Sequence, residues 1–217
     1  MTNPADEVLD VVDAQDRVIG TAPRGEVYRR GLTHRCVFIL VRDAEGRIFT
    51  HRRSAEKLYA PGTYDCFVGG VVGAGETYAE AAVREAEEEM GVSGIVPVRL
   101  FKFLFEENGL SWWCDTYEAR WDGPVSPQVE EVDWHGWLTE EELTRRLTEW
   151  QFVPDGLQAY RHYLTHRAAA RSADRPFPTA RPEQLGWRSW FPVHRRWRTA
   201  PSVRPGVGSA WTSAGSS

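Results

Sequence analysis

Residues 69–92 read GGVVGAGETYAEAAVREAEEEMGV, a glycine-rich turn followed by a run of helix-forming residues. Apolar residues recur near helical spacing from Thr77 to Met90, which predicts an amphipathic helix. Thr77 and Glu80 make a capping-box pattern at its start, and Gly91 is a typical stop. The helix concentrates glutamates, although like charges three or four residues apart repel by about 0.2–0.5 kcal/mol per pair. Bound cations would relieve that repulsion.

Three of the glutamates share one face of the predicted helix. Glu85, Glu88 and Glu89 stand at positions i, i+3 and i+4, so their side chains project together. Glu76 ends the glycine turn, whose backbone can approach a ligand closely. Arg84 can hold a carboxylate in position through a charge-assisted hydrogen bond. Clustered hard oxygen ligands suit Mg²⁺ or Mn²⁺, whereas the alternative is a solvated acidic face, which we expect for the other helix glutamates.

Composition favours a globular body with a tail of different character. Of 217 residues, 41% are hydrophobic and 12% aromatic, which is enough for a core. Residues 166–217 hold nine Arg and two acidic residues, a net charge of +7, which leaves −12 for residues 1–165. An acidic body argues against a surface that coats nucleic acid. We predict one domain over 1–165 and, over 166–217, a basic Arg/Pro/Gly/Ser/Trp-containing tail that is disordered or a docking arm.

The cysteines and the start of the chain bear on the cellular compartment. Cys36, Cys66 and Cys114 are odd in number, far apart and without a CxxC pair, so neither a disulfide framework nor a zinc site is expected. The acidic start lacks the basic and apolar regions of a signal peptide. No apolar run reaches the roughly 18–20 residues that span a bilayer. We expect a cytoplasmic protein without a membrane partner.

Patterning along the body predicts an α+β domain. Strands are expected at residues 8–12, 18–19, 36–41, 47–51, 65–68, 96–105, 111–119 and 132–138. Helical patterns cover residues 24–29, 77–90, 139–150 and 154–165. Turn residues at 43–46 and the Glu-Glu-Asn-Gly run at 106–109 predict two hairpins.

The order of residues in the opening stretch resembles the Nudix box, G-x5-E-x7-R-E-U-x-E-E-x-G-U, where U is a bulky aliphatic residue. The match runs from Gly70 to Val92 and includes all seven fixed letters. The one departure is Ala86 at the first U position. The order of elements from about residue 6 to 165 also resembles a Nudix domain. The resemblance implies a mixed β-sheet sandwiched between α-helices.

The same resemblance implies roles for residues of the box. The implied ligands of Mg²⁺ (or Mn²⁺) are Glu85, Glu88, Glu89, the carbonyl of Gly69, and Glu76 in the outer shell or through water. Arg84 would orient the glutamates. In the implied mechanism the metal would neutralise the diphosphate, and a carboxylate or a metal-bound water would position and deprotonate the attacking water. The general base stays open between Glu85 and the loop residues Glu130 and Glu131.

The implied reaction is cleavage of a phosphoanhydride bond in a nucleoside diphosphate linked to a group X. Arg52 and Arg53 are candidates for phosphate contacts, with at least one expected in an internal ion pair. Base selection would need groups in the cleft, and alternating strand aromatics, although more typical of a core, are candidates. These aromatics are Phe103, Phe105, Trp112, Trp113 and Tyr117. The expected partner is a small-molecule diphosphate, with no nucleic acid and with a homodimer left open.

Residues 34–62 also resemble the isopentenyl-diphosphate isomerase branch of the superfamily, without a gap. That isomerase needs a catalytic cysteine, which would fall at Gly69, and a Glu-x-Glu on a later strand, where residues 110–114 read LSWWC. His34 matches one of its two histidine ligands, whereas the other falls at Val27. We therefore favour an isomerase-like subgroup of Nudix hydrolases over the isomerase itself.

A third hypothesis is a catalytically silent Nudix-fold module that binds a nucleotide without turning it over. The basic, Trp-bearing tail favours this hypothesis as an arm that docks a partner. The intact set of helix glutamates argues against it, because a sensor need not maintain a metal site. The sequence leaves open the preferred nucleotide, the number of metal ions and the oligomeric state.

Overall fold

A computed structural model describes residues 3–173. Within them the strands are β1 Val8–Val12, β2 Val18–Pro23, β3 His34–Arg42, β4 Ile48–Arg53, β5 Tyr64–Asp65, β6 Val98–Glu107, β7 Leu110–Arg120 and β8 Val132–Leu138. The α-helices of the same part of the chain are α1 Arg24–Arg30, α2 Tyr78–Met90, α3 Glu140–Glu149 and α4 Pro154–Ala173. A 3₁₀ turn at Pro4–Asp6 precedes β1.

The main sheet mixes parallel and antiparallel strand pairs. Its strands lie in the order β5-β4-β3-β7-β6, with β8 paired to β4, while β1 and β2 form a separate two-stranded sheet. β3 runs parallel to β7, whereas β6 and β7 form an antiparallel hairpin. Asn108 and Gly109 turn that hairpin with φ of 51° and 81°. Two positive φ values are what an Asn-Gly hairpin turn requires, so this predicted hairpin is confirmed.

β3 is the central strand and is buried on both faces. Every second residue from Cys36 to Leu40 packs in one core cluster, to which α4 contributes Tyr160. The alternate residues from Val37 to Val41 pack in the other cluster with the apolar side of α2. An apolar strand next to a parallel partner is typical of a sheet covered on both faces. The sheet is therefore sandwiched between α2 and α4, and the predicted fold class is confirmed.

The strand predicted at 65–68 is wrong in its extent. β5 covers only Tyr64–Asp65, and the next residues instead run antiparallel along the edge of β3. Ile39 N donates to Val68 O (2.8 Å), and Val37 N donates to Gly70 O (2.9 Å). These bonds hold the glycine turn against the central strand, directly beside α2.

α2 begins and ends where the sequence predicts. Thr77 Oγ1 accepts from Glu80 N (3.3 Å), and Glu80 Oε2 accepts from Thr77 N (2.9 Å), which completes the capping box. Gly91 ends the helix with a left-handed φ of 63°, and a Cβ there would lie 2.0 Å from Ser126 O. Both ends of the helix that carries the glutamates are thus fixed by local chemistry.

α4 runs beyond its predicted end at Thr165 and reaches Ala173. Arg167, which the sequence assigns to the tail, donates from Nη2 to Glu140 Oε2 (2.7 Å). The hydrogen bonds from Arg167, supported by Arg42, lower the pKa of Glu140 to about 2. The rest of the predicted disordered tail, residues 174–217, lies outside the described residues. Within residues 3–173, no helix combines the length and hydropathy that a bilayer span needs.

Candidate active site

A cleft of about 1030 Å³ opens beside α2 and the glycine turn. Its walls also include the first residues of the chain, the loop after β4, the loop before β8 and the start of α4. Four of the predicted metal ligands line it, namely Gly69, Glu85, Glu88 and Glu89. Side chains that are distant in sequence therefore meet at one open cavity, as a substrate site requires.

The glutamates of α2 differ in their exposure to solvent. Glu89 is 4% exposed and Glu85 is also buried, whereas the side chain of Glu88 is 54% exposed. Burial, together with the neighbouring charge of Glu89, raises the pKa of Glu85 to about 7. Two adjacent buried carboxylates are stable together only when a cation or a proton reduces their repulsion.

Arg84 is one of the cations that stabilise these carboxylates. Its Nε and Nη2 each donate to the Glu76 carboxylate at 2.8 Å. Its Nη1 donates to Glu85 (2.7 Å) and to Glu88 (3.3 Å). Nη2 also donates to the carbonyl of Val71 at 3.1 Å. The hydrogen bonds from Arg84 also lower the pKa of Glu76. Because the same guanidinium bonds to residues of the glycine turn and of α2, it joins these two segments.

Lys57 is a second cation at the site, and the sequence analysis did not single it out. Its Nζ donates to Glu89 Oε1 (3.1 Å) and forms an ion pair with Glu131. Burial alone would raise the pKa of Glu89, but the charge of Lys57 holds it below its ordinary value. Lys57 lies in a turn-rich loop without periodicity, so no local pattern indicates its position. Through it, Glu131 is brought next to the α2 glutamates.

The glycine turn lies in contact with the buried carboxylates. Gly69 N donates to Glu89 Oε2 at 3.2 Å. A Cβ added to Gly70 would lie 2.5–2.6 Å from the atoms of the Glu85 carboxylate group. A Cβ on Gly69 would lie 2.0 Å from the carbonyl oxygen of Val37. Only glycine lets the chain pass this closely between β3 and α2. The position at which an isomerase needs its cysteine therefore has no room for a side chain.

His34, which matches one histidine ligand of the isomerase, and Cys66, the cysteine nearest in sequence to Gly69, are core residues. His34 is buried, and burial lowers its pKa to about 4, so the ring is neutral. Cys66 is buried in the larger core cluster, and burial raises the pKa of its thiol. Cys36 and Cys114 are also buried and free. These environments suit packing rather than metal binding or acid–base chemistry.

The two arginines at the end of β4 take different positions. Arg53 lines the cleft and donates from Nε and Nη2 to the Tyr59 carbonyl (3.3 and 3.2 Å). Arg52 is not among the residues that line the cleft, and its Nη2 donates to Asp133 Oδ2 at 2.9 Å. Arg52 thus forms an ion pair within the chain, as expected for at least one of them, although this pair lies at the surface. Glu130 is exposed at the cleft.

Two buried carboxyl groups that sequence patterns do not indicate also line the cleft. Asp65 ends β5, and Asp155 lies in the first turn of α4. Burial, with the charge of Asp155, raises the pKa of Asp65 to about 8. Burial also raises the pKa of Asp155 to about 6, although Arg53 opposes that shift. The pair therefore retains a proton at neutral pH. Ninety residues separate the two, so only the fold reveals them.

Asp65→Asn is expected to flatten the pH dependence of stability. The pKa of Asp65 is higher in the folded protein than in the unfolded chain, so its contribution is present near pH 4 and is lost as the pH rises through about 8. The parent protein should lose up to about 1 kcal/mol of unfolding free energy per pH unit in this window, and the variant less. Chemical unfolding between pH 5 and 8 in a chelator measures the slopes.

The exposed carboxylate Asp133, changed to Asn, is the control for that measurement. It pairs with Arg52 at the surface, so Asp133→Asn should keep the slope of the parent protein. Identical slopes for the parent protein and Asp65→Asn would contradict the assignment of a retained proton to the buried pair.

Comparisons with known proteins agree with this geometry. The NUDIX domain family profile matches residues 32–155, which include the glycine turn and all of α2. The chain belongs to the Nudix family. An uncharacterized Nudix hydrolase of Streptomyces coelicolor is 59% identical over 172 residues, covering 78% of this chain and 95% of the relative. An uncharacterized Nudix hydrolase of Pseudomonas aeruginosa is 39% identical over 158 residues, covering 73% and 94%.

Solved structures share the fold of this Nudix hydrolase. A crystal structure of a Deinococcus radiodurans protein matches with a TM-score of 0.64 and 32% identity, covering 72% of this chain and 98% of that one. A MutT protein from Methanosarcina mazei matches with a TM-score of 0.52 and 20% identity, covering 66% and 96%. The second likeness concerns the fold alone.

Nudix hydrolases generally use divalent metal ions, and the donor set of this one fits such an ion. Among residues 3–173, no three His, Cys, Asp or Glu side chains already stand at metal-binding spacing. Glu85 and Glu89 are nevertheless buried side by side, and a cation reduces the repulsion between their carboxylates. In this structure the cations are Arg84, which pairs with Glu85, and Lys57, which pairs with Glu89. Hard carboxylate oxygens are the ligands that Mg²⁺ and Mn²⁺ prefer.

Proposed function

We propose that this Nudix hydrolase cleaves a phosphoanhydride bond in a nucleoside diphosphate or a nucleoside-diphosphate-linked compound, with Mg²⁺ or Mn²⁺. The observation that carries the proposal is the convergence of three helix carboxylates, Glu85, Glu88 and Glu89, on one cleft. Cationic side chains for the phosphates, Arg53 and Lys57, line the same cavity. Carboxylates beside cations suit a diphosphate bound through a metal.

The proposed roles of the cleft residues are metal binding, orientation of the ligands and phosphate binding. Glu85, Glu88, Glu89 and the carbonyl of Gly69 would hold the ion, with Glu76 in the outer shell. When bound, the ion supplies charge neutralisation of the diphosphate and activation of water. Arg84 orients the glutamates through the hydrogen bonds described above. Arg53 and Lys57 donate to phosphate oxygens and stabilise the charge that develops on them.

We assign the general base to Glu131. Its side chain is 33% exposed and lines the cleft, so it can reach a water molecule, whereas Glu85 is buried. Both carboxylates are paired with a cation, Glu131 with Lys57 and Glu85 with Arg84, so exposure is what distinguishes them. The Glu131 carboxylate accepts a proton from water as the water oxygen attacks phosphorus. The phosphoanhydride P–O bond breaks, and the bridging oxygen leaves with the other phosphate. Glu130, exposed at the same rim, is the neighbouring alternative.

A substrate panel tests the proposal against its alternatives. Nucleoside diphosphates, nucleotide sugars, dinucleotides and isopentenyl diphosphate are incubated with Mg²⁺ or Mn²⁺, and released phosphate or monophosphate is measured. Release from at least one nucleotide class is expected. Isomerisation of isopentenyl diphosphate without hydrolysis would favour the isomerase, against which the crowding at Gly69 argues. Nucleotide binding without turnover would favour the silent module.

Two truncations separate the domain from the tail. A chain ending at Ala173 keeps α4 and all the cleft-lining residues of the described part, which run from Asn3 to Asp155, so its turnover should equal that of the full chain. A chain ending at Thr165 loses the Arg167–Glu140 ion pair, which is worth about 1 kcal/mol. Its Tm should fall by about 2–4 °C. Loss of turnover in the chain that ends at Ala173 would show that residues 174–217 act in catalysis.

A further inference from the structure

Buried residues that line the cleft carry polar atoms that the cleavage of a diphosphate does not use. Trp112 lines the cleft and is 3% exposed, and its Nε1 has no hydrogen-bond partner among the described residues. The hydroxyl of Tyr59, which also lines the cleft, is buried and likewise unpartnered within residues 3–173. Buried polar groups without partners are uncommon in folded proteins and call for an explanation. A bound ligand with complementary polar atoms supplies one.

Trp112, Tyr59 and Asp155 lie together and form what we call the inner subsite. The rings of Tyr59 and Trp112 meet edge to face, with centroids 5.1 Å apart. Asp155 lines the same cleft, and burial and then its charge raise the pKa of Tyr59. The indole N–H of Trp112 is in turn near enough to Asp155 to favour its carboxylate form. The inner subsite thus offers aromatic faces, an N–H donor and a carboxylate acceptor.

Arg53 links the inner subsite to the proposed phosphate position. It donates to the Tyr59 carbonyl (3.2 Å), and its charge acts on both Asp155 and Glu89. The α2 glutamates and the inner subsite line one cleft, so a ligand with its phosphates at the glutamates would direct its other end along that cleft toward the inner subsite. That other end is the part by which substrates of the proposed reaction differ.

We propose that the inner subsite binds an amino-substituted nucleobase, cytosine or adenine, of the substrate nucleotide. This inference rests on the proposed function. The aromatic rings suit the planar base, the Asp155 carboxylate accepts from the exocyclic amine, and the Trp112 N–H donates to the adjacent ring nitrogen. Uracil and hypoxanthine carry a carbonyl in place of the amine and an N–H in place of that nitrogen. With these bases the Asp155 carboxylate would face a carbonyl oxygen, and the Trp112 N–H would face another N–H. Neither pair can form a hydrogen bond, so uracil and hypoxanthine are disfavoured.

Asp155 also has a structural role, which the choice of variant must respect. Its Oδ1 accepts from Gly156 N (3.0 Å) in the first turn of α4. Asp155→Asn keeps the size and that acceptor but adds an N–H₂ donor, which can face a carbonyl. Trp112→Phe keeps an aromatic ring and removes the N–H. Trp113→Phe is the matched control, because Trp113 is the next residue of β7, is not among the residues that line the cleft, and donates to the carbonyl of Asp13 (3.4 Å).

Calorimetric binding of CMP, UMP, AMP and IMP to the full-length protein with Mg²⁺ tests the inference without any bond cleavage. We expect CMP over UMP and AMP over IMP by about 10- to 100-fold in Kd. Trp112→Phe should reduce that preference about tenfold, Asp155→Asn should abolish or reverse it, and Trp113→Phe should retain it. Equal affinities within each pair for the parent protein, or no binding of any of the four, would overturn the subsite.

The two proposals fail separately. A base preference in binding, without hydrolysis of any nucleotide in the substrate panel, would keep the inner subsite and reject the hydrolase. Hydrolysis of nucleoside diphosphates with equal kcat/KM for cytidine and uridine, and for adenosine and inosine, would keep the hydrolase and reject the inner subsite.

Discussion

Glu89→Gln is expected to lower kcat by on the order of 10²- to 10⁴-fold, with a similar loss for Glu88→Gln. Each substitution keeps the shape of the side chain but removes a negative charge from the proposed metal site. In Glu89→Gln the loss also deprives Lys57 of one of its two carboxylate partners. Turnover of the best substrate in the panel, measured at saturating Mg²⁺ and Mn²⁺, gives the effect on rate. Calorimetric titration with Mn²⁺ shows whether the ion is still bound.

Glu87→Gln is the matched control on the same helix. Glu87 does not line the cleft, and its Oε1 accepts from Gly94 N (2.5 Å), which a glutamine oxygen can also do. Its kcat should stay within about twofold of the parent value, since surface substitutions outside the site have small effects. Turnover by Glu88→Gln and Glu89→Gln equal to that of the parent would refute metal-assisted hydrolysis at this site.

Gly69→Ala is expected to destabilise the fold and to reduce activity together. The added Cβ would lie 2.0 Å from the Val37 carbonyl, so the backbone must move. Overpacking of this kind costs about 1–3 kcal/mol, which lowers Tm by about 2–10 °C. The movement also shifts the amide that donates to Glu89, and a displacement of about 1 Å in an active site can cost 10²-fold in rate. Thermal unfolding and turnover of the same preparation measure both effects.

Gly73→Ala, in the same turn, is the control for that experiment. A Cβ at Gly73 would lie 3.5 Å from Glu76 Oε2, an ordinary contact distance. Its Tm should change by no more than about 2 °C, which corresponds to surface substitutions of about 0.5 kcal/mol. Equal melting temperatures for Gly69→Ala and the parent would show that the turn can move away from β3 without cost.

Local spacing explains why the helix and its glutamates were predictable. Residues three and four apart on a helix share a face whatever surrounds them, and a capping box and a stop glycine involve only neighbours in sequence. The Asn-Gly turn between β6 and β7 is local in the same sense. The predicted roles of Glu85, Glu88 and Glu89 as ligands remain a prediction, which the variants above address.

Contacts between distant segments were not predictable. Lys57 reaches the cleft from the loop between β4 and β5, and Asp155 from the first turn of α4. The predicted helix over 154–165 includes Asp155, but its pattern does not indicate that this residue faces the cleft. Of the five strand aromatics considered for base selection, Trp112 lines the cleft, whereas Phe105 packs against it (centroids 4.8 Å apart) and Tyr117 belongs to the opposite core cluster. Which face a strand aromatic takes depends on register, which the sequence pattern left ambiguous.

The predicted end of α4 at Thr165 is wrong because it was based on the change in amino-acid composition after residue 165 and not on the helix propensity of the residues that follow. Residues 166–173 read HRAAARSA, and Ala and Arg are among the strongest helix formers. The helix continues through them, and Arg167 pairs with Glu140 of α3. The change in composition therefore placed the predicted end of the helix eight residues too early.

The ammonium group of Lys57 would compete with any ion that binds the glutamates of the proposed metal site. Lys57 already offers one positive charge to Glu89 and Glu131 from a fixed position, at the high effective concentration of an intramolecular partner. A sodium or potassium ion would bring no more charge than the ammonium that it displaces, whereas a divalent ion brings twice as much. If the glutamates bind an ion as proposed, Lys57 would therefore compete more effectively with monovalent ions than with divalent ones.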